Sequence, residues 1–300
     1  MPDRLVFIPL RLPLVEEGDD LVGLILEAVE REGEEIENGD VLVVTSKVIS
    51  KARGYLARVE DYEPSLRSRL VSLLSGRDAR EIEMIRRHSV RLLYWLKAEE
   101  IEEMVGREDL RLIGVRRGIA VEMLREARAI IAAEHPKAGA LSDAGIDWSN
   151  CPEGVVCLFP EDPDAEAEEL RREIKERTGR EVGVVVTDTT ALFPRRKCTT
   201  DLAVGVSGIP CMYIGMGAPD LYGRPKFGGL DCVADALAMG ASLLMRQAGE
   251  GIPAVLVKGF RPGPYAGYAP MSRIIVRGRM STTWVVKAAV RRLILRLLGV

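Results

Sequence analysis

"VVVTDTTALFPRR", residues 184–196, joins an uninterrupted apolar run to a carboxylate, three threonines and two arginines. A run with no polar face reads as a strand covered on both sides, the kind that lies inside a sheet flanked by helices. "DVLVVTS" (40–46) and "PAVLVKG" (253–259) have the same character. Helical patterns lie between these runs. "EEGDDLVGLILEAVERE" (16–32) is amphipathic, with acids placed in its first turn. "DPDAEAEELRREIKERTGR" (162–180) has acids early, bases late and a glycine stop. The fold class this predicts is α/β, with α and β elements mixed in one unit.

Further from the opening stretch, "RLVFIP" (4–9) and "GVVCLF" (154–159) read as strands, and "PSLRSRLVSLLSG" (64–76) as a helix. "AREIEMIRRHSVRLLYWLKAEEIEEMV" (79–105) also reads as helical, charged along one side. Another helix is expected over much of 116–134, and a long apolar one within 229–251. There is no internal repeat, no low-complexity segment and no Ser- or Pro-rich linker. The 300 residues therefore read as one unit of two interleaved subdomains. It closes with a Gly/Pro-rich loop ("RPGPYAGYAP", 261–270) and a C-terminal helix rich in apolar and basic residues.

The composition excludes several classes. A formal net charge of -3 leaves no electrostatic footprint for nucleic acid or an anionic membrane. No apolar stretch is long enough to span a bilayer, and the N-terminus reads as a strand and turn rather than a leader. The five cysteines form no CxxC pair and there are only two histidines, so reduced thiols in a cytoplasmic protein are expected, not a zinc site. Asn38, Asn150 and Gln247 are the sole side-chain amides. With abundant Arg and Glu, that is the pattern of a heat-adapted chain. Asn38 sits in "ENGD", which is turn chemistry, so Asn150 and Gln247 are the amides expected to make special contacts.

Asp188 ends a buried strand, where open α/β sheets tend to place ligands. Asp with Thr hydroxyls offers hard oxygens suited to Mg²⁺ or Mn²⁺, and the arginines offer neutralisation of phosphoryl charge. The competing reading is a capping aspartate with solvated arginines. Asp147, in "DAGIDWSN" (143–150), has the same two readings, as cation ligand or Asx turn. Ser46, Lys47 and Lys51 follow the strand at 40–46 and can hold phosphate, although the spacing is not that of a P-loop and a basic surface helix start is the commoner arrangement. His135, before a proline, reads as a loop residue.

In order and spacing these segments resemble the coenzyme F-420:γ-glutamyl ligases, the CofE family. The resemblance rests on "LPLVEEGDDL", "DVLVVTSKVISKARG", "AGIDWSN", "LFPEDPDAEAEELRREI", "VVVTDT", "DLYGR", "CVADALA" and "MRQAGEGIPAVLVKG", spanning roughly residues 11 to 260. It implies a CofE-like fold in an interlocked homodimer. It also implies two divalent cations, Mn²⁺ or Mg²⁺, GTP as co-substrate, and L-glutamate joined to the carboxylate of coenzyme F-420-0 through an acyl phosphate. By resemblance, Asp147 and Asp188 would hold one cation, and Thr189 and Gln247 the other. Arg195 would act with the two aspartates in catalysis. GTP would meet Leu12, Pro13, Leu14, Ser46, Lys47, Lys51 and Asn150, and the 245–252 stretch: Met245, Arg246, Gln247, Ala248, Gly249, Glu250, Gly251 and Ile252.

The chain departs from the family pattern at Ala191-Leu192, in place of Gly-Arg, and at Asp143, in place of an amide. It departs again at Arg11 and Arg246, each in place of a glycine. These departures leave two alternatives, a sister ligase with another acceptor and a nucleotide-binding protein that has lost ligation.

Overall fold

In the computed structural model, which describes residues 4–113, 118–190, 199–246 and 248–275, the strands Val41–Thr45 and Gly183–Thr190 run parallel and in register, Thr45 beside Thr187. They are inner strands of a five-stranded sheet ordered Val6–Leu10, Ala254–Lys258, Val41–Thr45, Gly183–Thr190, Thr200–Ser207. The other pairings are antiparallel. The apolar runs are buried as their lack of a polar face requires: Val41 to Val44, Val184 to Val186 and Val255 to Val257 have almost no exposed surface.

Helices cover this sheet for local reasons. Asp162 caps Pro163–Thr178 by accepting from the Ala165 amide, proline takes the first helical position, and Gly179 ends it at φ +69°. Leu170 and Ile174 of that helix are fully buried. Its start lies against Gly205, where a Cβ would meet the Pro163 carbonyl oxygen at 2.1 Å, so only glycine fits. Asp164 accepts from the amides of Val206, Met271 and Ser272. The DPD motif is therefore a helix start and a clamp on two neighbouring segments. Leu21–Arg31 begins one residue after its acids, with Asp20 as cap rather than first-turn residue.

The described residues divide into two compact units, 4–61 with 145–274, and 62–144. The second contains an antiparallel sheet of Arg91–Lys97, Ala129–His135 and Gly139–Ser142, and it corrects two readings. The helix expected across 79–105 is broken. Ala79–Arg87 is helical, Arg91–Lys97 is a strand, and Ala98–Val105 is helical again. The helix expected over 116–134 occupies only Ile119–Ala127, followed by the Ala129–His135 strand. Leucine and alanine favour helices, yet here pairing decides: Ala129–His135 is almost wholly buried between its two partners, where small side chains fit. His135 closes that strand, buried, its Nδ1 accepting from the amides of Lys137 and Ala138, so it is not the loop residue expected.

The long apolar helix is Val233–Met245, preceded by a short strand, Leu230–Cys232. It ends at Arg246 with φ +56°, a left-handed position that glycine fills without strain. Arg246→Gly is expected to stabilise the protein by about 1 kcal/mol. Guanidinium unfolding would read this, and an unchanged or lower midpoint would contradict it. The C-terminal helix expected beyond residue 280 lies outside the described residues, while 261–270 is a loop apart from the two-residue strand Ala266–Gly267.

Candidate functional site

Because Thr45 and Thr187 are register partners, the residues that follow them lie side by side, Ser46 at the start of a helix and Asp188 still within its strand. Ser46 Oγ donates to Asp188 Oδ1 at 2.8 Å. Ser46–Ala52 turns into a short helix, and this brings Lys47 and Lys51 over the same end of the sheet. Lys47 Nζ lies 2.7 Å from Asp147 Oδ2 and donates to Ser149 Oγ at 2.6 Å. Lys51 is buried, with Nζ donating to the Asn150 carbonyl oxygen at 3.2 Å. The basic surface helix start considered for this segment does not describe Lys51.

These groups line a cavity of about 510 Å³. Leu12, Pro13 and Leu14 form one wall, and Met245, Ala248, Gly249, Gly251 and Ile252 another. The two walls are tied together by the Leu12 amide on the Gly251 carbonyl and by Arg11 Nη1 on the Glu250 carbonyl. Asp147, Asn150, Asp188 and Thr189 complete the polar end. Arg246 and Glu250 do not line the cavity, and the Glu250 carboxylate instead accepts from the Ala248 amide. Gln247 and Arg195 lie outside the described residues, as do Ala191 and Leu192.

Asp147 makes the Asx turn its sequence allowed, and its second oxygen is turned to the cavity. Its Oδ1 accepts from the Ser149 amide at 2.7 Å, an Asx turn, while Oδ2 faces the cavity with Lys47. Its main chain bridges Cys157 in both directions, at 3.0 and 2.9 Å. Asn150 has φ +58°, a conformation asparagine tolerates, and its Nδ2 reaches the Ala248 carbonyl at 3.4 Å.

Asp201 is the residue that sequence reading passed over. It sits inside the Thr200–Ser207 strand, 2% exposed, lines the cavity and accepts from Thr189 Oγ1 at 2.9 Å. The available signal was an acid at a buried position of an otherwise apolar alternation, "TDLAVGVS". Burial pushes the Asp188 carboxyl up to about 7, helped by the negative charges of Asp147 and Asp201 and opposed by the Ser46 hydroxyl. Burial also raises Asp201. Near Asp147, the hydrogen bond between the Cys151 and Cys157 thiols lowers the first and raises the second, which is also buried.

Among the described residues no three His, Cys, Asp or Glu side chains converge as a cage for a metal ion. One or two carboxylates with hydroxyls beside them suit a different kind of ion: a hard cation that completes its shell with water and phosphate oxygens, as Mg²⁺ does. A carboxylate whose charged form is disfavoured chiefly by burial, and further by nearby carboxylates, is relieved by such a cation.

The sequence profile of F420-0:Gamma-glutamyl ligase matches residues 9–259. The chain is 38% identical over 263 residues to the coenzyme F420:L-glutamate ligase of Archaeoglobus fulgidus, covering 88% of this chain and 89% of that one. It is 37% identical to the enzyme of the same name from Methanopyrus kandleri, over 83% of this chain and 84% of that one. The corresponding enzyme of Methanothermobacter thermautotrophicus is 34% identical, over 83% and 86%. Similarity of this extent makes the protein an acid–amino acid ligase. It belongs to the F420-0:gamma-glutamyl ligase family, and its mixed α/β fold is consistent with that membership.

Proposed function

We propose that this chain joins L-glutamate to the terminal carboxylate of coenzyme F420-0, with GTP and two divalent cations, Mn²⁺ or Mg²⁺. The substrates are those named for its relatives. The observation that carries the nucleotide and metal reading is the meeting of Ser46, Asp188, Lys47 and Asp147 at the end of the parallel strand pair. Asp147 and Asp188 hold one cation, with Thr189 and Gln247 at the other. When bound, the cations would neutralise charge that develops on the transferred phosphoryl group. Lys47 and Lys51 add fixed positive charge for the phosphates. Arg195 belongs to the same chemistry. The acceptor carboxylate takes the γ-phosphoryl group, releasing GDP. The amine of glutamate then attacks the acyl carbon, loses a proton and expels phosphate, leaving an amide.

Three of the departures from the family pattern, Arg11, Asp143 and Arg246, do not favour a sister ligase or an inactive binder. Arg11 and Asp143 have main-chain and side-chain partners in the fold, and Arg246, at a helix end, does not itself line the cavity. Calorimetric titration of GTP in Mn²⁺ tests the reading. Wild type should bind in the micromolar range only with metal, and Asp147→Ala should bind at least about 100-fold more weakly, the loss of one close charge interaction. Equal binding by the variant would leave Asp147 as a turn residue only.

The assembly we propose is a homodimer. The sheet of Met212–Ile214, Leu230–Cys232 and Ala266–Gly267 carries a loop on which Leu221, Tyr222 and Phe227 are exposed, and apolar exposure of this kind suits a partner. Light scattering should give twice the chain mass, and Phe227→Asp should weaken association at least tenfold. A monomeric wild type would refute this assembly.

A further inference from the structure

Two cysteines to which the proposed ligation assigns no role follow Asp147, Cys151 in the turn and Cys157 at the end of the strand Val155–Cys157. Cys151 is half-buried and Cys157 buried, and their Sγ atoms are 2.7 Å apart. That is within about 0.7 Å of the disulfide bond length. The closeness does not depend on two loose side chains. Cys157 is held by its paired main-chain bonds to Asp147, and the loop between the cysteines is closed by the Val155 amide on the Pro152 carbonyl at 3.1 Å. Cys211 and Cys232 differ: each thiol is directed at a carbonyl oxygen, of Gly267 and of Cys211, at 3.6 Å.

We propose that Cys151 and Cys157 form a reversible dithiol–disulfide modification site whose oxidant is a low-molecular-weight disulfide. The more accessible sulfur, that of Cys151, attacks as thiolate. It bonds to one sulfur of the small disulfide and releases the other as a small thiolate. Cys157 passes its proton to that thiolate and attacks Cys151 Sγ, expelling the second small sulfur as a thiolate, which takes from water the proton that Cys151 had released. Two protein thiols become one disulfide, and one small disulfide becomes two small thiols. Excess small thiol reverses both steps. The closed ring spans 151–157 and is fastened at Cys157 to Asp147, so it braces the segment carrying Asp147 and Asn150. It forms from side chains already in contact, so its main effect is to remove freedom from the unfolded chain.

The test uses the full chain equilibrated in glutathione buffers from fully reduced to fully oxidised, acid-quenched, alkylated and digested for mass spectrometry. The peptide holding both cysteines should pass from doubly alkylated to an unalkylated form lighter by two hydrogens, while Cys211 and Cys232 stay alkylated throughout. The oxidised protein should melt about 5 °C higher, and dithiothreitol should return it. Cys157→Ser should retain one glutathione on Cys151. The inference is overturned if both thiols are alkylated at every ratio, if a mixed disulfide accumulates on wild-type Cys151, if Cys211 and Cys232 oxidise equally readily, or if oxidation leaves the melting temperature unchanged or lowers it.

Discussion

Asp188→Asn lowers ligation at saturating GTP and Mn²⁺ by about three orders of magnitude while the fold survives. Asparagine keeps the shape of the side chain, and its Oδ1 still accepts from Ser46 Oγ, now 2.8 Å from the carboxylate. On the proposed reading, the substitution removes only the charge that would hold a cation beside the phosphates. Single-turnover kinetics separates that chemical loss from weaker nucleotide binding, and activity within tenfold of wild type would remove Asp188 from the metal site.

A second consequence has the opposite sign. Burial is the chief cause that pushes the folded Asp188 carboxyl up to about 7 from its ordinary 3.8. Between about pH 4 and 7 the folded, metal-free protein therefore holds a proton that the unfolded chain has released, and its stability falls as pH rises through that window. Above 7 the loss is complete. In chelator-treated protein at pH 8, Asp188→Asn should melt about 5 °C higher than wild type, and the difference should shrink toward pH 5. A lower melting temperature for the variant at pH 8 would contradict the sign.

Arg77→Ala destabilises the protein by about 3–5 kcal/mol. Arg77 is 5% exposed, with Nη1 donating to Asp143 Oδ1 at 2.6 Å and to the Ala129 carbonyl at 3.0 Å, and Nε to Glu81 at 2.7 Å. Alanine leaves a mostly buried carboxylate facing a carbonyl, with nothing to neutralise it. Asp143 also accepts from the Ile131 amide, so the pair fastens the Ala129–His135 strand from its side-chain end. Asp143→Asn, which restores the family's amide, keeps both hydrogen bonds and should lose clearly less than Arg77→Ala. Guanidinium denaturation followed by circular dichroism gives both values, and a loss below about 1 kcal/mol for Arg77→Ala would mean that the pair is decorative.

What could be read in advance follows from which forces act locally. Val41–Thr45 and Gly183–Thr190 declare themselves because burial on both faces leaves no polar residue in the run. Pro163–Thr178 declares itself through its cap, proline and terminal glycine. Arg91–Lys97 and Ala129–His135 do not, because leucine, lysine and alanine prefer helix and only their pairing with each other makes them strands. The candidate site divides in the same way. Asp147, Asp188, Ser46 and Lys47 stand in or beside legible segments, whereas Asp201 is recognised only once the strand that carries it is seen beside Thr189. Three of the four departures from the family pattern have structural settings of their own. Arg246 occupies a left-handed helix end, Asp143 meets a buried arginine, and Arg11 reaches a carbonyl, while Ala191-Leu192 lies outside the described residues.

The ammonium of Lys47, 2.7 Å from Asp147 and 2.6 Å from the Ser149 hydroxyl, is a cation on a tether. On the proposed reading, a divalent ion reaching Asp147 therefore enters by ion exchange. It displaces a monovalent charge that cannot diffuse away, and that charge stays in the cavity to meet an anion. The same lysine serves the carboxylate first and the phosphates afterwards. Metal and nucleotide are thereby linked through one side chain, and each must tighten the other's binding by the same factor.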